Sequence, residues 1–513
     1  MIEEKLIVND VKNACTRTPY GSRNPSITGV SNDEVNVNTD NPSLLDCISS
    51  VKNTTDTVSS QKLSEKGIQT LSYNDVHNHS FGPGYSYSQV YDITKTLSSN
   101  VEEQLRLFDE AGVNQIVCAP IPTAVVGNND CCGNTDIMSE LENKTYYLPD
   151  QIRDGKIPDL SDYNKITTET EQYYNTSVDW QVGKAYSELK IRDTENERRF
   201  NEGADKKKAQ YQKYEKITDR IHPAITGINL NDSNAVVAML RLKMEYPGIF
   251  HIIGEVTMHK EFVDKQNKDY TPAFDKTASA NAIFRFAGDS GMPVVLHCDS
   301  SDVKECLNLG TPGKGEYFSS IKKMISYHPQ TTFIHAHMGG VGKYSPPGDN
   351  HINVLSNMLN SHPGYYIDMS WDVVAENYSP VSSLKGDAKV NDELVREKRI
   401  KDMAELINHF PERFIMGSDA LISRTPESIS RTYSLYSNYG SNSESIGQRK
   451  YGLFDYLRPD SMNKVLTENF DRILSKAKKD NDIFEKNKMK DYLKQMQAYT
   501  NVNKRVPNVW RQK

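Results

Sequence analysis

The stretch Asn74-Asp75-Val76-His77-Asn78-His79 carries two imidazoles at a spacing of two residues. In an extended strand, residues two apart project to the same side, so His77 and His79 would share one space while Val76 and Asn78 face away. Neutral imidazole is the commonest metal ligand, and a catalytic zinc-type site takes about three protein ligands plus an open position for water. Two histidines are half of such a site. Whether the chemistry exists depends on other N and O donors and on the elements that bring them to the same place.

Composition narrows the setting. The chain has 513 residues, 25% of them charged, and a formal net charge of −7, a mildly acidic balance that gives no support to a nucleic-acid or anionic-membrane partner. No apolar run approaches a membrane span, and Met1-Ile2-Glu3-Glu4-Lys5 lacks the basic region and apolar core of a signal peptide. The expectation is a cytoplasmic protein. Its cysteines (Cys15, Cys47, Cys118, Cys131, Cys132, Cys298 and Cys306) are odd in number and outline neither a disulfide framework nor a zinc ribbon.

Residues 1–70 are rich in Asn, Ser, Thr and Asp and read as a polar, irregular N-terminal arm. A strand over Leu71 to His79 follows, then a turn at Gly82 to Gly84. The next helix, Asn100 to Glu110, puts Val101, Leu105 and Phe108 on one face, and Gly112 ends it before a buried strand from Val113 to Pro120. From about 123 to 218 the alternation stops in a polar, Tyr-rich, lid-like insertion. One amphipathic helix is legible there, with Val182, Ala185, Tyr186 and Leu189 on a common face. Its basic residues, among them Arg198 and Arg199, alternate with Glu197 and Glu202 and mark a solvated face rather than a phosphate-binding one.

Strands then resume at Ile221 to Asn229, Phe250 to Thr257, Pro293 to His297, Thr332 to His337, Tyr365 to Met369 and Arg413 to Ser418, with helical stretches between them. This is the pattern of an α/β fold, a (β/α)8 TIM-type barrel over 71–475 with a long insertion after strand 2 and a helical C-terminal extension. Residues 476–513 form a helical appendage, including a charged helix over Asp480 to Tyr499. In such a barrel the active site lies at the C-terminal strand ends. Strand one ends in His77 and His79, four in Glu255, five in His297, six in His335 and His337, and eight in Asp419.

These pieces resemble the amidohydrolase superfamily of metal-dependent barrels. Asp75-Val76-His77-Asn78-His79 matches the first-strand motif and Val295-Leu296-His297 the fifth-strand ligand. His337-Met338-Gly339-Gly340 matches the sixth-strand motif and Gly417-Ser418-Asp419 the eighth-strand aspartate. Thr467-Glu468-Asn469-Phe470-Asp471-Arg472-Ile473-Leu474 looks like the helix that closes the family's domain. The likeness spans about 71–475 and is nearest to the amidohydrolase-related branch of hydrolases and aromatic-acid decarboxylases. It is less close to the urease and dihydroorotase type, since neither terminus reads as a flanking β-sandwich.

The resemblance implies one or two divalent ions, zinc first, with manganese, iron or cobalt as alternatives. His77, His79, His297 and Asp419 would be the ligands, and the cation would bring the pKa of its water toward about 7. Asp419 would also take the water proton. His337 would stabilise the oxyanion or protonate the leaving group, with a ligand role as the alternative. Glu255 is either a carboxylate shared with a second cation, as in a TatD-like fourth strand, or a barrel-interior ion pair. The carbamylated lysine of other members is not evident on strand four. His335 is placed on the face of His337, one layer deeper, and Asp75 on the face of the histidines as a structural acceptor rather than a ligand. Trp371, Asp372 and Arg424 are candidates for substrate contact, against core packing or a surface salt bridge.

The leading expectation is a hydrolase of an amide, ester or lactone bond in a small molecule. The alternatives are a nonoxidative decarboxylase of an aromatic or unsaturated acid, and a catalytically inactive barrel that acts as a binding protein. Homo-oligomerisation is left open.

Overall fold

Eight short apolar strands can hide both faces only if one faces a closed interior and the other a layer of helices. The computed structural model has this arrangement. It describes residues 71–79, 101–119, 178–203, 215–228, 230, 235–258, 278–301, 315, 317–341, 348, 350–370, 387–420 and 452–503. The expected N-terminal arm, the turn at Gly82 to Gly84 and most of the insertion lie outside the described residues. Those described belong to one unit, Thr70–Asn128 with Asp136–Lys513.

The strands are β1 (Tyr73–Asn78), β2 (Val113–Cys118), β3 (Ile221–Ile225), β4 (Ile252–Met258), β5 (Val294–Cys298), β6 (Phe333–His335), β7 (Tyr365–Asp368) and β8 (Phe414–Ile415). They pair in parallel in chain order from β1 to β8. The ring closes where Val76 N donates to Met416 O (3.0 Å), Asp419 N to His77 O (2.8 Å) and His79 N to Ala420 O (2.9 Å). The chain is therefore a TIM-type barrel, as its strand and helix alternation leads one to expect.

Helices α1 (Val101–Ala111), α2 (Val178–Gly203), α3 (Ala235–Glu245), α4 (Ala278–Ser290), α5 (Phe318–Tyr327), α6 (His351–Ser361) and α7 (Asp387–His409) lie between successive strands in the chain. Every strand contributes a side chain to one inner cluster: Val76, Val117, Ala224, Ile252, Val295, Ile334, Tyr366 and Ile415. Their neighbours Ile116, Ile253, Leu296, Phe333, Tyr365 and Phe414 join the larger cluster with helix residues such as Phe108, Leu240, Phe284 and Ile321.

Helix α2 belongs to the insertion yet occupies the crossover position between β2 and β3. Its buried residues Val182, Ala185, Tyr186 and Leu189 enter the outer cluster, and its basic face is spent on Arg198 pairing with Glu195 and Glu202 along the helix. Asp179 in its first turn accepts from the backbone N–H groups of Thr226 and Gly227, each at 2.9 Å, just past β3. Burial pushes this carboxyl up to about 6, against the pull of those donors.

Beyond β8, α8 (Pro459–Asn463) leads through a widened turn over Lys464–Glu468 into α9 (Asn469–Asn487). The expected single helix over 480–499 is two, because the chain turns at Lys488 into α10 (Met489–Asn503). The start of α9 closes the N-terminal mouth of the barrel. Phe470, Ile473 and Leu474 join the inner cluster, and Asn469 Nδ2 donates to the carbonyls of Pro411 (2.7 Å) and Phe414 (2.8 Å). Asp471 Oδ1 accepts from Asn74 and Gln115 near the beginnings of β1 and β2, both at 2.9 Å. No helix among the described residues is long and apolar enough to cross a membrane.

Phe470 is 2% exposed, so Phe470→Ala should cost about 3–5 kcal/mol of stability, the range for opening a large aromatic cavity. Chemical denaturation of the full chain measures this, and a loss below about 1 kcal/mol would contradict the role of this residue as the barrel's plug.

Candidate metal centre

Regular alternation would not deliver this site. In β1 the pairing with β2 is irregular between Asp75 and Asn78, so Val76 and His77 both reach the inner side. Asn78 instead donates to Asp75 Oδ2 at 2.9 Å. Asp75 is thus not beneath the histidines as expected. It accepts from the backbone N–H groups of His77 and Ser418, each at 3.0 Å, and clasps the β1–β8 seam. In β4 a second irregularity, between Ile253 and Val256, turns Glu255 inward. Gly417 leaves space opposite, where a Cβ would lie 3.1 Å from His77 Cβ and 3.2 Å from Asp368 Cβ.

Strand β6 ends at His335, two residues earlier than the sequence suggests. His337, Met338 and Gly339 then take left-handed conformations, with φ of 55°, 53° and 78°, and Gly340 follows at φ 82°. A Cβ on Gly340 would come within 2.2 Å of the Cys298 carbonyl oxygen, so this tight turn against β5 needs glycine. The turn separates the fates of the two histidines expected on one face. His335 packs beside Tyr365 and Phe318, with Nδ1 2.8 Å from the Tyr365 hydroxyl and Nε2 2.8 Å from Cys298 O. His337 arrives at the mouth, its ring centroid 4.6 Å from that of His297 and 5.5 Å from that of His77.

The structure brings His77, His79, Glu255, His297, His337 and Asp419 together. His79 Nε2 lies 2.9 Å from Asp419 Oδ1 and 3.3 Å from Glu255 Oε2. His77 Nε2 lies 3.6 and 3.7 Å from the same two oxygens. His297 Nδ1 contacts Glu255 Oε1. The ligating atoms of His77, His79 and Glu255 fall within 4.8 Å of one another, as do those of Glu255, His297 and His337. Glu255 belongs to both groups.

Hydrogen positions follow from the partners. His79 Nδ1 faces the Ala119 carbonyl and His77 Nδ1 faces Asp368 Oδ2 at 3.0 Å. Both oxygens accept, so both Nδ1 atoms carry the proton, and the neutral rings turn Nε2 lone pairs toward Glu255 and Asp419. Lone pairs then meet carboxylate oxygens. His77 Nε2 is buried with no hydrogen-bond partner, an arrangement that a cation resolves and that fits a divalent ion of the N/O-ligated kind.

Without a metal the same crowding draws in a proton. Burial lowers the affinity of His77 for one, but Asp368, Asp419 and Asp75 outweigh it and raise its pKa to about 9. For Asp419, burial acts upward and is overcome by the close approach of His79 and by the imidazoles of His77 and His297, which hold it well below the usual carboxylate range. Burial, with the neighbouring imidazoles, pulls His297 down to about 3 despite Asp419.

Asp368 and Ser370 were not among the residues singled out from sequence. Both are fully buried. Asp368 holds His77 and also accepts the backbone N–H of His337 at 2.9 Å. The signal was present, since Tyr366 and Asp368 are two apart in Tyr365-Tyr366-Ile367-Asp368 and the second ends its strand. Trp371, Asp372 and Arg424 lie outside the described residues.

Because a metal must displace the His77 proton below about pH 9, zinc affinity should rise toward tenfold per pH unit between about pH 6.5 and about pH 8.5, with release of a proton. Calorimetry in buffers of different ionisation enthalpy tests this, and affinity flat across that range would contradict it. Asp368→Asn should weaken zinc binding by about 10–100-fold, measured by competition with a chromophoric chelator. Unchanged affinity would remove Asp368 from the support of the site.

No family model matches the chain, and no curated protein matches it. Among solved structures it is similar to an uncharacterized TIM-barrel protein from Bordetella bronchiseptica, at 14% identity and TM-score 0.37, over 79% of this chain and 99% of that one. It is also similar to an amidohydrolase from Burkholderia multivorans with bound zinc (9% identity, TM-score 0.31, over 79% and 99%). A third is a dihydroxybenzoic acid decarboxylase from a Polaromonas species with bound manganese and the inhibitor 2-nitroresorcinol (9% identity, TM-score 0.32, over 79% and 97%). Likeness at this distance carries no argument about the reaction. The resemblance to the amidohydrolase superfamily rests on this chain's own motifs and on the barrel that gathers them.

Proposed function

We propose that this chain is a metal-dependent hydrolase of the amidohydrolase type, acting on an amide, ester or lactone bond of a small molecule. The observation that carries the reading is the convergence of the imidazole Nε2 atoms of His77 and His79 with the carboxylate oxygens of Glu255 and Asp419 at the C-terminal mouth of the barrel. His77, His79, His297 and Asp419 would hold the ion, with Glu255 placed to share it. A divalent cation there supplies Lewis acidity toward a carbonyl and makes water acidic near neutral pH.

The protein side chains divide the remaining work. Asp419 is 18% exposed and Glu255 8%, so Asp419 meets incoming water and substrate more readily and is the better placed proton acceptor. Buried Asp368 and the Ala119 carbonyl orient His77 and His79. His337, its ring centroid 4.6 Å from that of His297, lines the same reaction space.

Elemental analysis and hydrolysis assays on wild type and His297→Ala test the proposal together. The wild type should carry bound zinc or manganese and cleave members of a panel of esters, lactones and amides. The variant should lose the metal and at least about 100-fold in rate, the upper end of what removing an orienting group alone costs. Carbon dioxide release from aromatic acids without hydrolysis would assign the decarboxylase reaction instead. A metal-free, inert wild type after zinc and manganese reconstitution would overturn the proposal.

A further inference from the structure

Asp368 is encircled by donors. Its Oδ2 faces His77 Nδ1. Its Oδ1 accepts the backbone N–H groups of His337 and Ser370, each at 2.9 Å, together with the Ser370 hydroxyl. A carboxylate oxygen can only accept and a backbone N–H can only donate, so the single hydrogen of the Ser370 hydroxyl is committed to Asp368. That leaves Ser370 Oγ with two lone pairs. One receives the His337 backbone N–H at 3.1 Å. The other faces His337 Nδ1 at 2.8 Å, and two acceptors cannot bond each other. His337 Nδ1 must carry a proton.

We propose that Ser370, oriented by Asp368, is a positioning residue that fixes the neutral ring of His337 in its Nδ1–H form and so makes Nε2 the ring's accepting atom. The chemical consequence revises the role expected from sequence. A neutral His337 cannot give a proton from Nε2. It first takes one there, or binds through that atom, and donates only afterwards as the imidazolium, with the Asp368 charge one hydroxyl away to stabilise it. One carboxylate thereby sets the tautomer of His77 directly and that of His337 through Ser370. The reaction served by His337 rests on the hydrolase reading above, whereas the tautomer rests on hydrogen bonding alone.

His335 provides the internal contrast. Its Nε2 faces the Cys298 carbonyl and its Nδ1 faces the Tyr365 hydroxyl, so it is held in the opposite form. Long-range proton–nitrogen NMR of the full chain with ring-labelled histidine, with His337 signals identified by their loss in His337→Gln, reads both tautomers. The proposal predicts Nδ1–H for His337 and Nε2–H for His335. Ser370→Ala should lose the single Nδ1–H form, and Ser370→Thr, which keeps the hydroxyl, should restore it. An Nε2–H His337 in the wild type would overturn the proposal, as would an unchanged Nδ1–H form in folded Ser370→Ala. If Ser370→Ala does not fold, the wild-type spectrum still decides. Metal analysis of the same samples separates the two ideas: a metal-free wild type with Nδ1–H His337 supports this proposal and sinks the hydrolase, and metal-loaded protein with Nε2–H His337 does the reverse.

Discussion

The structure depends on a local excess of electron pairs. His77 and His79 give their ring protons to Asp368 and Ala119 and turn their remaining nitrogens toward two carboxylates that can only accept. Such a centre is costly inside a protein unless something positive occupies it. A proton on His77 is one answer and a divalent ion a better one, since it satisfies several donors together. The surroundings are arranged so that the excess persists. Buried oxygens commit the far side of each imidazole, and no lysine or arginine occupies β4 to neutralise Glu255.

The barrel holds this unfavourable grouping because its stability comes from elsewhere. One inner side chain from every strand, capped by Phe470, Ile473 and Leu474, fills the lower barrel with apolar contact. The outer cluster ties the strands to the helices. Several departures from regular geometry fall at the upper rim: the irregular pairings of β1 and β4 near their ends, the left-handed turn after β6, and Asp419 at φ 51°. Strained or irregular backbone at such a rim is common where side chains must be aimed rather than packed. Here the irregularities aim His77, Glu255, His337 and Asp419 into one space.

Much of this was legible in the sequence, for a physical reason. Strand and helix alternation is written in hydrophobic periodicity, and the rule that chemistry sits at C-terminal strand ends converts eight strands into a short set of residues. His77, His79, His297 and Asp419 emerge from it, and the geometry gathers them. Periodicity is silent about its own interruptions. In Ile252-Ile253-Gly254-Glu255-Val256 strict alternation puts Glu255 on the outward face of Ile253, and Gly254 alone hints at the register change that turns it inward. Strict alternation put Asp75 under the histidines and His335 beneath His337, and a bulge and a turn undo both placements. Asp368 obeys the strand-end rule, two residues after the inward Tyr366. Ser370 matters through His337, 33 positions away in the chain, a pairing that no local pattern reveals.

The most direct measurement is anomalous diffraction from crystals grown with zinc, recorded on both sides of the zinc absorption edge. The account predicts an ion at about 2.0–2.1 Å from Nε2 of both His77 and His79, with Asp419 as an oxygen ligand. Zinc bound only elsewhere, or none at the mouth with the imidazoles hydrogen-bonded directly to Glu255 and Asp419, would contradict it.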